Sequence, residues 1–157
     1  DAGASTRYAA HQTMRENAKA LGCGYEVQAV LYDWETMLRT RYRVVEIASR
    51  LKRNGFRLYY LSNIPTDILE ILKARSFWRL FDGGVASCDV HLLKPQPEIY
   101  QTLLDRYELD PKECIFIDDS PVNVKAAYEL GITSIPMHAS VNALVRNLGV
   151  CGIHVRG

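Results

Sequence analysis

Three short apolar runs, FRLYYL (56–61), CIFID (114–118) and ITSIPM (132–137), stand between stretches with the spacing of amphipathic helices. That alternation constrains the fold more than any other feature. Such runs are too short for core helices and suit strands covered on both faces. Before the first run, VVEIASRLKRNG (44–55) places Val44, Ile47, Ala48 and Leu51 on one stripe and stops at Gly55. Thr66 or Asp67 is expected to cap a helix ending near Arg75, and GGVAS (83–87) to form a short strand. Pro97 suits a first helical turn and opens PEIYQTLLDRYEL, while Ser120 and Pro121 open a helix that Gly131 stops. SVNALVRNL (140–148) reads as a last helix, and residues 6–21 as a first one. Strands alternating with helices predict an α/β fold with a parallel sheet, whose ligands gather at the carboxyl ends of the strands.

The chain of 157 residues is long enough for one domain with a core. With 48% hydrophobic and 24% charged residues it has the balance of a globular protein. Lys plus Arg number 19 against 18 for Asp plus Glu, so no strong field attracts nucleic acid or an anionic membrane. No run is long enough to span a bilayer, and the first residues, DAGASTRYAAHQTMRE, lack a signal-peptide core. The chain opens on Asp1 rather than Met, compatible with a processed or truncated product. Cys23, Cys88, Cys114 and Cys151 are scattered without a CxxC pair, which predicts reduced thiols and a cytoplasmic location. The four histidines show no metal-ligand spacing.

Three points converge if this sheet forms. Ser62 and Asn63 end the first core strand, Lys94 lies in LLKPQPEIY, and Asp118 and Asp119 end the next core strand. A hydroxyl, a backbone amide and an ammonium make a phosphate cradle. Paired carboxylates are hard oxygen ligands suited to Mg²⁺. Each piece alone has an ordinary explanation: a turn serine, a solvated lysine, a helix-capping Asp-Asp-Ser-Pro. Their order and placement on strand ends make the combination specific.

In these motifs the chain resembles the haloacid dehalogenase (HAD)-like hydrolases, in the branch with a small helical cap. YYLSNIP is similar to that family's second motif, LLKPQPEIY to its third and CIFIDDSPVNVKAA to its fourth, across roughly residues 40–150. The resemblance implies a Rossmannoid parallel sheet with flanking helices and a partial cap. It implies Mg²⁺-dependent hydrolysis of a small phosphorylated metabolite through an aspartyl-phosphate. Ser62, Asn63 and Lys94 would then bind phosphate, with Ser62 and Lys94 in the catalytic apparatus, while Asp118 and Asp119 hold Mg²⁺.

The family's first motif is a hydrophobic strand ending in Asp-x-Asp, and AVLYDWETML (29–38) invites that comparison. Two readings compete. In one, EVQAVLYD is a strand, Asp33 the nucleophile and Glu35 the acid/base of a capless phosphatase. In the other, the segment is the last helix of the cap. Val27, Val30, Leu31, Trp34 and Leu38 form one continuous helical face, and Thr36 replaces the glycine usual after Asp-x-Asp, which favours the helix. The chain then divides into a cap remnant, 1–40, and an α/β core, 41–157. The strand bearing the nucleophile, which the family places between the strands ending at Ser62 and Asp118, would be missing, and phosphatase activity weak or absent. Two apolar strand edges would lack partners, which predicts homo-oligomerisation through them, or a non-catalytic assembly module.

Overall fold

The computed structural model describes residues 12, 16, 20, 40–137 and 140–155. Gln12, Glu16 and Ala20 are helical, as expected within 6–21. The segment 26–38, with Asp33, Trp34 and Glu35, lies outside the described residues, as does nearly all of the expected cap remnant.

Helix α1 (Tyr42–Arg53) buries Ile47 and Leu51 from the expected stripe. Its end is set by Gly55, at φ +87°, a backbone region that side-chain-bearing residues rarely adopt. The amides of Gly55 and Phe56 return to the carbonyls of Lys52 and Leu51, at 3.1 Å each, closing a Schellman motif. Because Phe56 is spent on stopping the helix, strand β1 begins only at Tyr59 and runs Tyr59–Ser62, later than the expected 56. Helix α2 (Thr66–Lys73) and a 3₁₀ turn (Ser76–Leu80) follow, then strand β2 (Gly83–Ala86) and a short helix α3 (Ser87–Val90). Pro97 opens α4 (Pro97–Arg106) as its position predicts. A 3₁₀ turn (Pro111–Glu113) leads into strand β3 (Ile115–Asp118), and Pro121 opens α5 (Pro121–Glu129). Gly131, at φ +83°, stops α5 with the same motif, Ile132 returning to Ala127. Strand β4 (Thr133–Pro136) and helix α6 (Val141–Val150), capped by the Ser140 hydroxyl, complete the order.

The fold is α/β, with parallel strand pairs. β1 pairs β2 with Ser62 opposite Ala86, and β3 pairs β4 with Asp118 opposite Pro136. Among the described residues the two pairs are separate, and no ladder joins β1 to β3. Apolar packing nevertheless spans both. Leu61, Val85 and Phe116 belong to one cluster with Ile99, Tyr100 and Leu104 of α4 and Ala127 of α5. A second cluster sets Ile47 and Leu51 of α1 against Leu144 and Leu148 of α6, with Ile135 of β4 and Ile115 of β3. Helices thus hold the two half-sheets together by side chains where backbone pairing does not.

The outer edge of β2 is closed differently. The Tyr107 hydroxyl accepts from the Gly84 amide at 2.8 Å and donates to the Gly84 carbonyl at 3.2 Å, with Arg106 on the same carbonyl at 3.3 Å. Side chains therefore satisfy backbone groups that would otherwise template a further strand.

A candidate phosphate and metal site at the strand ends

β1 ends at Ser62 opposite Ala86 and β3 at Asp118 opposite Pro136, and hydrogen bonds through Lys94 link the residues at these two ends. Ser62 is half-buried at the end of β1, and Asn63 follows it on the surface. The Asn63 side chain reaches the loop between α3 and α4. Its Oδ1 accepts from the Lys94 amide at 2.8 Å and its Nδ2 donates to the Lys94 carbonyl at 2.9 Å. Lys94 then projects its ammonium to Asp118, where Nζ lies 2.6 Å from Oδ2. Both side chains are about nine-tenths buried, with relative exposures of 9% and 8%. The ammonium also stands 5.6 Å from the centre of the Phe116 ring, within cation–π range.

Asp118 is held from the other side as well. Its Oδ1 accepts from the Ser120 amide at 2.9 Å and from Asn123 Nδ2 at 3.0 Å. Burial pushes this carboxyl upward, but the Lys94 ammonium, the Ser120 amide and the Asn123 amide together outweigh it and hold the group below the usual range. The expected capping of α5 by the Ser120 side chain is replaced by this arrangement: the hydroxyl makes no cap hydrogen bond, and the backbone amide serves Asp118. Asn123 is itself held, because the Tyr100 hydroxyl donates to its carbonyl at 3.1 Å. Burial, and then the nearby Asp118 charge, push the Tyr100 phenol up to about 12, so it remains a neutral donor at ordinary pH.

Of the residues singled out in the sequence, Asn63, Lys94 and Asp118 form a connected chain, and Ser62 and Asp119 flank it, Asp119 being exposed. Asn123, Tyr100 and Ser87 escaped the sequence reading. Ser87 is fully buried; its hydroxyl accepts from the Ile64 amide at 2.9 Å and donates to the Ile64 carbonyl at 3.2 Å. The signal available for Asn123 was its place in the first turn of the helix that follows Asp118.

The donor set fits a Mg²⁺ ion. Asp118 and Asp119 are adjacent carboxylates at a strand end, and Mg²⁺ commonly takes one or two carboxylates, completing its shell with waters and substrate phosphate. Among the described residues no cluster of three or more His, Cys, Asp or Glu side chains is gathered for a metal.

A sequence model of the haloacid dehalogenase-like hydrolases matches residues 7–131. The chain belongs to this family. Among similar proteins, a sesquiterpene phosphatase (astK) of Aspergillus oryzae is 31% identical over 119 residues, covering 75% of this chain and 61% of that protein. A flavin mononucleotide hydrolase of Arabidopsis thaliana is 31% identical over 115 residues, covering 70% of this chain and 44% of its own length. The chain thus spans about half of these relatives. Among solved structures, a HAD family enzyme of Bacteroides thetaiotaomicron in complex with magnesium and inorganic phosphate superposes with a TM-score of 0.64 at 26% identity. The match covers 88% of this chain and 72% of that one. A predicted HAD-like family hydrolase of Porphyromonas gingivalis shares the fold at TM-score 0.71, with 24% identity and coverage of 94% and 75%. Among the described residues, no helix is long and apolar enough to cross a membrane.

Proposed function

We propose that this HAD-like hydrolase carries the phosphate- and magnesium-binding half of a phosphomonoester hydrolase acting on a small phosphorylated metabolite. The observation that carries the reading is the buried Lys94–Asp118 pair at the converged strand ends, which sets a cation beside a metal-type carboxylate. Ser62 donates its hydroxyl and Lys94 its ammonium to phosphoryl oxygens, while Asp118 and Asp119 hold Mg²⁺. When bound, the metal supplies charge neutralisation for the phosphoryl group. Lys94 holds Asp118 Oδ2, while the Ser120 amide and Asn123 hold Asp118 Oδ1, so the carboxylate that would bind the metal is fixed in place.

Attack on phosphorus needs an aspartate that the family carries on a strand between those ending at Ser62 and Asp118. The break between β1 and β3 falls at that place among the described residues, and it supports this reading. The helical spacing of residues 26–38 speaks against Asp33 filling the role, so weak turnover by the chain alone is expected. The test is hydrolysis of a generic phosphomonoester with and without Mg²⁺, alongside Lys94→Ala and Asp33→Asn. Rapid Mg²⁺-dependent turnover abolished by Asp33→Asn would instead make Asp33 the nucleophile. Weakened but measurable Mg²⁺-dependent phosphate binding in Lys94→Ala is the expected result.

The unjoined edges of β1 and β3 also favour a second reading, a module that associates through them. It predicts a concentration-dependent oligomer, and a monomer across the concentration range in sedimentation would exclude it.

A further inference from the structure

We infer that Asn63 is a positioning residue for Lys94 rather than a ligand of the phosphate, an inference that rests on the phosphate-site reading above. The geometry is specific. A side-chain amide has an acceptor oxygen and a nitrogen with two N–H donors, and in Asn63 the oxygen and one of those donors are engaged by a single residue, the amide and carbonyl of Lys94, at 2.8 and 2.9 Å. The pairing acts as a two-point clamp, fixing the rotation of the Lys94 peptide groups as well as their distance.

The clamp crosses a break. β1 ends at Ser62 and β3 at Asp118, and among the described residues no ladder joins those strands. The path from one half-sheet to the other runs from Asn63 to the Lys94 backbone, and through the Lys94 side chain to Asp118 Oδ2 at 2.6 Å. A lysine stem has several rotatable bonds, so its ammonium is only as well placed as the backbone from which it springs. The clamp is in turn anchored, because buried Ser87 makes the same two-point contact with the backbone of Ile64, the residue after Asn63. Ser87 fixes the loop that carries Asn63, and Asn63 fixes the loop that carries Lys94.

The experiment measures binding of inorganic phosphate in the presence of Mg²⁺, by titration calorimetry, to the wild-type chain, Asn63→Ala, Lys94→Ala and the double variant. Asn63→Ala is expected to weaken binding by roughly five- to tenfold, the loss of about one hydrogen bond's positioning. The double variant is expected to bind no more weakly than Lys94→Ala alone, because Asn63 acts only through Lys94. Losses that multiply in the double variant would show that Asn63 touches phosphate independently and would overturn the inference, as would wild-type affinity in Asn63→Ala. Amide hydrogen exchange at Lys94 supplies a readout that needs no ligand. Exchange should quicken in Asn63→Ala and stay slow in Asn63→Asp, which keeps an oxygen to accept from the Lys94 amide. Unchanged exchange in Asn63→Ala would overturn the clamp. If the wild-type chain binds no phosphate, the phosphate-site reading fails, and the exchange measurement still decides whether Asn63 holds Lys94.

Discussion

The Lys94 ammonium stands 2.6 Å from Asp118 Oδ2, and both side chains are about nine-tenths removed from water. Two ions taken out of water are tolerable only as a pair with further hydrogen bonds, which Asp118 obtains from the Ser120 amide and Asn123. Lys94→Ala leaves the carboxylate buried without its cation and is expected to lower unfolding stability by about 3 kcal/mol in urea titration. Lys94→Met combined with Asp118→Asn should recover part of that loss, because no uncompensated charge remains.

Tyr107 serves the edge of β2 with one hydroxyl that both accepts from and donates to Gly84. Tyr107→Phe keeps the ring, whose centre lies 4.6 Å from that of Tyr59, and removes only the hydroxyl. The expected cost is about 1–2 kcal/mol, chiefly from the Gly84 amide left to find another partner, since Arg106 still serves the carbonyl. Chemical denaturation measures it, and faster amide exchange at Gly84 should accompany it.

Gly84 is needed for space. A Cβ built there overlaps the Tyr60 carbonyl oxygen and the Tyr60 ring, so backbone and a packed aromatic would both have to move. That ring is held in turn by Trp78 and Phe81, at 4.7 and 5.8 Å between centres. Gly84→Ala is expected to destabilise by at least about 1–3 kcal/mol, the usual cost of overpacking. A fall in the thermal midpoint, with changed near-ultraviolet dichroism from the aromatic group, is the observable.

Asp82 accepts from Lys52 through Oδ1 and from the Leu58 amide, at 2.8 Å, through Oδ2. The Lys52 hydrogen bond, followed by that amide, holds its carboxyl below the usual range. A carboxyl with a lowered folded pKa contributes stability above its unfolded pKa of about 3.9, and that contribution disappears as pH falls through the folded value. Both partners remain about a third exposed, at 33% and 31%, so the increment is small. Asp82→Asn should lose less than about 1 kcal/mol at neutral pH and show a flatter decline of stability with acid. Equal acid slopes for the two proteins would show that Asp82 makes no such contribution.

Much of this structure was legible in the chain because the controlling interactions are local. Gly55 and Gly131 stop their helices where expected, since a left-handed residue after the last turn is a matter of backbone sterics at one position. Pro97 and Pro121 open helices for the same kind of reason. Ser62 and Asp118 fall at strand ends as expected, because strand ends in an α/β layer are predictable from apolar runs and the turn residues after them, whereas Lys94 lies in a loop and stood out only through LLKPQPEIY. Less legible was the start of β1, delayed because the Phe56 amide is claimed by Leu51. The roles of Asn123, Ser87 and Tyr107 were also hidden, because each side chain serves a group that helix or strand periodicity does not reveal.

Order of elements, helix stops and the composition of the site were therefore set by residue type and short-range spacing. Whether neighbouring strands join was settled by packing at long range. β1 and β3 carry good strand sequences, yet among the described residues they make no ladder with each other, and helices on both faces and the Lys94 bridge connect their halves. A backbone donor or acceptor does not specify which distant segment will meet it. That choice follows from how whole elements bury their apolar faces, and here it leaves a lysine and two asparagines to link the strand ends.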